Sequence, residues 1–141
     1  MVDLEKAAMG EKPVKVLLID DAEEILIGLK ALLERAGYDV LTSNNGTDGL
    51  SLALSEHPDV IVCDVMMPPP DGFELRKIIS ASPDVADIPF IFLTARASQM
   101  DRLIGLDTGA DDYMTKPFDV RELIARIESI LKRQELGRKT G

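Results

Sequence analysis

One cysteine, Cys63, and one histidine, His57, are all the thiol and imidazole this sequence holds. A lone cysteine forms no intramolecular disulfide, and nothing stands at zinc-ligand spacing from it, so a reducing compartment is expected. Cys63 lies inside an apolar stretch and reads as a small core residue rather than a redox switch. His57 precedes Pro58 at the end of a helical pattern and reads as a surface residue. Long apolar runs are missing too. The opening MVDLEKAAMGEKP has no apolar centre of signal-peptide length, and no segment approaches the roughly 20 apolar residues that span a bilayer. A soluble, cytoplasmic domain with no membrane role is expected. Basic charge is in deficit, 16 Lys and Arg against 25 Asp and Glu, for a formal net charge of −9. That balance suits divalent cations and is a poor match for phosphate backbones or anionic lipid, so direct nucleic-acid binding by this chain is disfavoured.

What is present is a single-domain complement of apolar side chains: 45% of 141 residues, with 29% charged, enough for one core and too apolar for a disordered chain. From Val14 onward, short β-branched runs alternate with segments of helical period. Val14 to Ile19 is a strand, followed by a helix with Ile25, Leu29, Leu32 and Leu33 on one face and Gly37 at its close. Tyr38 to Leu41 is a second strand, and Leu50, Ala53 and Leu54 stripe a second helix that ends at His57-Pro58. Asp59 to Cys63 is the third strand; Asp71 with Glu74 forms a capping box for a third helix carrying Leu75, Ile78 and Ile79, halted near Ser82-Pro83. Ile88 to Leu93, a helix from Ser98 to about Thr108, a strand from Asp112 to Thr115, and a last helix striped by Val120, Leu123, Ile124, Ile127 and Leu131 complete the pattern.

Strands apolar on both faces, joined by helices, demand parallel pairing with crossovers and helices on both sides: an α/β doubly wound, five-stranded parallel sheet with five helices. The second strand ends in Thr42, Ser43, Asn44 and Asn45 without a carboxylate, which suits an outer place and the order 2-1-3-4-5. Residues 1 to 13 are expected to be a flexible extension, 14 to 133 the domain, and 134 to 141 a tail or the start of a linker. The basic cluster of Lys132, Arg133, Arg138 and Lys139 reads as a solvated helix end.

Polar residues fall at the carboxyl ends of the strands: Asp20 and Asp21 after the first, Asp64 after the third, Thr94 after the fourth and Lys116 after the fifth. In open parallel sheets the crevice beyond these ends is where ligands bind. Three carboxylates together repel unless a cation sits among them, and hard oxygen donors suit Mg²⁺, with Mn²⁺ as an alternative ion. Lys116 adds a positive charge and Thr94 a hydroxyl. Taken singly, Asp20 or Asp21 could cap a helix, Thr94 could be turn chemistry and Lys116 an exposed lysine; jointly, at four strand ends, they read as a site.

LLIDD (17 to 21), VIVCDVMMPPPDGFEL (60 to 75), FLTA (92 to 95) and GADDYMTKPF (109 to 118), in this order and spacing, resemble the receiver domain of bacterial two-component response regulators. The resemblance covers residues 14 to about 133 and implies a flavodoxin-like fold. It implies that Asp64 is the phosphoacceptor for a sensor histidine kinase, that Asp21 binds Mg²⁺ directly, that Asp20 acts mostly through water, and that Met66 lends its backbone carbonyl. It further implies that Thr94 is drawn inward by the phosphoryl group while Tyr113 swings into the vacated space, and that Lys116-Pro117 is a cis peptide aiming the lysine at the site. Ala95 leaves room for donors. Met66 and Arg96 flank the expected water path, and neither is an acid or amide suited to orienting that water.

Arg102, Asp107, Asp111, Asp112, Glu122, Arg126 and Arg133 resemble the charge set by which the winged-helix transcription-factor branch pairs symmetrically when active, so a phosphorylation-enhanced homodimer through the fourth helix, fifth strand and fifth helix is implied. The alternative is a solvated charged face. Pro68-Pro69-Pro70 departs from the usual loop. Two other function classes compete: a dehalogenase-type Mg²⁺-dependent phosphatase, which needs an acid where Met66 stands, and a pseudo-receiver scaffold, against which all five site residues argue. No output segment is recognisable after residue 133, so a stand-alone module and the amino-terminal piece of a longer regulator or hybrid kinase both stay open.

Overall fold

A computed structural model describes residues 12–140. Most of the expected amino-terminal extension, residues 1–11, lies outside the described residues, as do the side chains of Arg138 and Lys139. Five strands, β1 (Lys15–Ile19), β2 (Asp39–Ser43), β3 (Val60–Cys63), β4 (Phe90–Thr94) and β5 (Asp112–Thr115), pair in parallel in the order β2-β1-β3-β4-β5. Helices α1 (Glu23–Arg35), α2 (Gly46–Glu56), α3 (Gly72–Ser80), α4 (Gln99–Asp107) and α5 (Val120–Thr140) make the crossovers and close the fold.

The period of two explains why the strands read as continuous apolar runs. Leu17, Ile19, Ile61, Cys63, Phe90 and Phe92 point to one core, shared with Ala53 of α2, Leu75 and Ile79 of α3, and Tyr113. Their alternates Val16, Leu18, Val60, Val62, Ile91 and Leu93 point to the other, shared with Leu26, Leu29 and Leu33 of α1 and Leu123, Ile127 and Ile130 of α5. Both faces are dry, as a parallel sheet requires.

Several helix stripes are narrower than the pattern predicts. Leu32, Leu54 and Ile78 are exposed, at 46%, 42% and 40%, because the buried rows are Leu26-Leu29-Leu33 in α1, Gly49-Ala53 in α2 and Leu75-Ile79 in α3. In α2 the small residues let the backbone lie close to the sheet, and a Cβ on Gly49 would reach 2.6 Å from Cδ1 of Ile19. The α3 capping box is present, Asp71 accepting from the Glu74 N–H and Glu74 from the Asp71 N–H. β4 starts two residues later than expected: Pro89 has no N–H to donate, and the ladder opens at Phe90, whose N–H goes to Asp111 Oδ2 at 2.8 Å. Residues 134–140, expected as a loose tail, continue α5 as helix. His57 is exposed as expected, but it also ends α2 in the left-handed region, at φ 47. Among the described residues no helix is long and apolar enough to cross a membrane.

The chain has two tyrosines. Burial first, and then the Glu128 charge, pushes the Tyr38 phenol up to about 12, and burial pushes Tyr113 up as well. An unfolded tyrosine ionises near pH 10. The native state therefore holds these protons more tightly, and the stability this contributes, present in full below about pH 10, is lost as pH rises towards 12. Absorbance titration should show little phenolate near pH 10 in the native protein and about half-ionisation in denaturant. Equal curves would contradict the burial of Tyr113 and the half-burial of Tyr38.

Candidate functional site

The strand ladders are prolonged past their last residues, and this sets the site. Asp20 donates its N–H to the Ser43 carbonyl at 3.1 Å, and Asp64 donates to the Ile19 carbonyl at 2.9 Å. The two aspartates are thereby held side by side, and both are buried, with 6% and 7% of their surface exposed. Asp21, one residue on, faces solvent. One carboxylate oxygen from each of Asp20, Asp21 and Asp64 can be chosen so that all lie within 4.8 Å of one another. Asp20 also accepts from the Ala22 N–H at 2.9 Å, which orients it where α1 begins without a side-chain cap of its own.

Lys116 reaches in from the end of β5. Its Nζ donates to Asp20 Oδ2 at 2.8 Å and to Asp64 Oδ2 at 3.2 Å, while its N–H is fixed on the Thr94 carbonyl at 2.9 Å. The Lys116-Pro117 peptide is cis, as the resemblance implied, and a second cis peptide joins Pro69 and Pro70. Burial opposes the Lys116 charge, but the hydrogen bond to Asp20 and the two aspartate charges outweigh it, so its pKa is raised. Burial raises the Asp20 pKa, with Lys116 pulling the other way. Three carboxylates thus confront one ammonium. Hard oxygen donors with unbalanced negative charge, one of them already pushed towards protonation, fit a small divalent cation.

Around this centre the backbone is crowded. A Cβ on Gly72, the first residue of α3, would lie 2.7 Å from Val65 Cα and closer still to the Asp64 carbonyl oxygen. Met66 donates its N–H to Asp64 Oδ1 at 3.0 Å and leaves its side chain 53% exposed. Cys63 donates its thiol to the Asp64 carbonyl at 3.1 Å and is fully buried, and burial holds its pKa well above the usual thiol value. An unreactive core thiol results.

Thr94 is the last residue of β4, not the first beyond it, and is fully buried; its Oγ1 accepts from the Arg96 N–H at 3.3 Å. Tyr113 is also fully buried and donates its hydroxyl to the Arg96 carbonyl at 2.6 Å. The Tyr113 ring is thus turned inward in the unmodified chain. Gly105 of α4 makes the room, since a Cβ there would come within 2.6 Å of the ring.

The charged residues beyond the site separate into groups. Arg126 pairs within its own chain, with Asp112 at 2.6 Å and Glu122 at 2.9 Å. Asp111 caps the start of β4. Arg133 lines a groove with Asp87, Pro89, Asp111, Ile130 and Gln134, at the end of the sheet away from the carboxylates. Arg102 and Asp107 lie exposed on α4 beside Met100, Leu103 and Ile104, which are 65%, 56% and 41% exposed. The apolar trio went unread in the sequence although 100, 103 and 104 have helical spacing. Also unread were the ion pair of Arg96 with Asp101 at 2.6 Å and the burial of Arg76, which donates to the Gly109 carbonyl at 3.1 Å and lies over the Phe90 ring.

Comparison with known proteins agrees with this geometry. Residues 16–128 match the model of the response regulator receiver domain. The chain is 46% identical over 123 residues to the alkaline phosphatase synthesis transcriptional regulatory protein PhoP of Bacillus subtilis, covering 87% of this chain and 50% of that protein. It is 42% identical over 121 residues to the DNA-binding dual master transcriptional regulator RpaA of Synechocystis, covering 86% and 50%. It thus spans about half the length of these curated relatives. Among solved structures, the receiver domain of the Francisella response regulator 1452 superposes with a TM-score of 0.80 at 39% identity, covering 86% of this chain and 98% of that one. With the family model over most of its length and a receiver fold to match, the chain belongs to the response regulator receiver domains of two-component systems.

Proposed function

We propose that Asp64 accepts a phosphoryl group from a sensor histidine kinase and that the modified domain then controls an output partner or domain. The observation that carries this is the cluster of Asp20, Asp21 and Asp64 at the strand ends with Lys116 bridging two of them. Asp20, Asp21, Asp64 and the Met66 carbonyl would hold Mg²⁺, or Mn²⁺ in its place. When bound, that ion neutralises charge on the transferred group.

The chain's own residues do the rest. Asp64 presents a buried carboxylate whose oxygen attacks phosphorus as the P–N bond of the phosphohistidine breaks; the electron pair leaves with the imidazole nitrogen, which takes up a proton. Lys116, already on Asp64, would stabilise the charge spreading over the phosphoryl oxygens, and the Thr94 hydroxyl, at the end of the neighbouring strand β4, would donate to one of them. Hydrolysis of the aspartyl phosphate resets the domain. The chain is a phosphoacceptor switch acting only on its own carboxylate, in the cytoplasm; Met66 in place of an acid argues against a phosphatase.

In the presence of Mg²⁺, acetyl phosphate should add one base-labile phosphoryl group to the parent chain and none to Asp64→Asn. A label that survives that substitution, or forms without divalent metal, would overturn the assignment.

The two curated relatives are named as transcriptional regulators, which supports a transcriptional output carried by a further segment or a separate partner. Thr94 and Tyr113, joined through the two backbone groups of Arg96, are the proposed switch. Its readout is a homodimer through α4, β5 and α5, in which Met100, Leu103 and Ile104 supply apolar contact and Arg102, Asp107, Asp111, Asp112, Glu122, Arg126 and Arg133 the reciprocal pairs. Because Arg126 is engaged by Asp112 and Glu122 of its own chain, pairing across the two-fold axis requires exchange of partners, and the net gain per ion pair is small. A beryllofluoride-treated sample should sediment as a larger species than the untreated one, and Arg126→Glu should abolish the difference. A treated sample that stays monomeric at high micromolar concentration would remove the dimer and leave a partner-binding switch.

A further inference from the structure

Arg96 is hydrogen-bonded to both residues of the proposed switch. Its N–H is on Thr94 Oγ1 at 3.3 Å and its carbonyl takes the Tyr113 hydroxyl at 2.6 Å, so its backbone is pinned. Its side chain, 42% exposed, lines a cleft with Asp21, Met66 and Met67. The guanidinium is parked on α4, with Nη2 on Asp101 Oδ1 at 2.6 Å and Cζ 5.6 Å from the Phe73 ring centroid. Asp101 is itself steadied, accepting the Ser98 hydroxyl at 2.7 Å and donating its N–H back to Ser98 Oγ at 3.0 Å.

We propose, resting on the phosphoacceptor function above, that Arg96 is a second cation for the transferred phosphoryl group and that Asp101 is the latch that holds it in reserve. The pair with Asp101 is a single hydrogen bond to one negative charge, and an exposed ion pair is worth about 0–1 kcal/mol, whereas a phosphoryl group carries nearly two negative charges and takes a guanidinium through bidentate hydrogen bonds. Arrival of the phosphoryl group therefore draws Arg96 off Asp101. Before arrival, the latch keeps the guanidinium from settling on Asp21 and competing with the divalent cation. Because Asp101 belongs to the first turn of α4, its release also tells that helix, directly, that the site is charged.

The test is a double-mutant cycle read as rate of labelling by acetyl phosphate at saturating Mg²⁺, together with the lifetime of the label. Asp101→Asn keeps an oxygen for the Ser98 hydroxyl and the backbone cap, so the helix start survives. It should speed labelling about two- to fivefold, the rate equivalent of an exposed ion pair. Arg96→Met should slow it about tenfold, Arg96→Lys should restore part of that loss, and Asp101→Asn in the Arg96→Met background should do nothing. A speed-up that persists without Arg96, or single variants labelled at the parental rate, would overturn the latch while leaving Asp64 as acceptor. A parent chain that takes no label at Asp64 would overturn both.

Discussion

Exchange of Lys116 for methionine is expected to slow phosphorylation of Asp64 by acetyl phosphate about 10²- to 10³-fold, the usual consequence of removing one preorganised donor to a developing oxyanion. Nζ lies 3.2 Å from Asp64 Oδ2 and 2.8 Å from Asp20 Oδ2, so no rearrangement is needed for it to meet the incoming phosphoryl group. The same substitution strips two buried carboxylates of the ammonium they share. Breaking a buried pair of this kind costs on the order of 3 kcal/mol, and thermal melts should show the loss, partly recovered when Mg²⁺ is added. Asp64→Asn should do the opposite to the fold, raising its melting temperature by relieving repulsion with Asp20 while abolishing the label. Lys116→Arg controls for the fold, because it keeps the charge. A folded Lys116→Met labelled at the parental rate would take the side chain out of the transfer step.

The second large effect concerns a residue without a side chain. In Gly72→Ala the new methyl would lie 2.7 Å from Val65 Cα and 2.9 Å from the Asp64 carbonyl carbon. All of its neighbours are backbone, and no rotamer relieves the overlap. Gly72 is further tied by its N–H to the Val65 carbonyl at 3.0 Å. Either α3 backs away from the sheet or the acceptor loop shifts, at about 2–3 kcal/mol, and labelling of Asp64 should slow with the loss of alignment. Gly28→Ala is the matched control: nothing lies within 4 Å of that Cβ, and in the interior of α1 it should stabilise by about 1 kcal/mol. Equal melting temperatures for the two variants would contradict the close approach of α3 to Asp64.

The sites and the fold were legible to different depths, for physical reasons. Parallel pairing, strand order and the convergence of Asp20, Asp64, Thr94 and Lys116 could be read because two-faced apolar strands and polar strand ends are local signals. Leu32, Leu54 and Ile78 were misplaced because helical period defines an arc but not its width, and in α2 the close approach of Gly49 to Ile19 narrows that arc. Arg76 was missed because it is buried with its guanidinium over the Phe90 ring, a place its charge alone argues against. Spacing also says nothing of which copy supplies a partner: Asp112 and Arg126 stand fourteen residues apart and pair within the chain. The inward Tyr113 depends on Gly105 of a different element and on a carbonyl seventeen residues away, a contact that no sequence pattern encodes.

Reduction of the phosphorylated protein with borohydride, which converts an aspartyl phosphate to homoserine, followed by peptide mass mapping, locates the acceptor residue itself. After treatment with acetyl phosphate and Mg²⁺, homoserine should appear at position 64 alone, and chelation of the metal beforehand should prevent it. Homoserine at Asp20 or Asp21, or an unmodified peptide at 64 in a sample that carries the label, would contradict Asp64 as the phosphoacceptor.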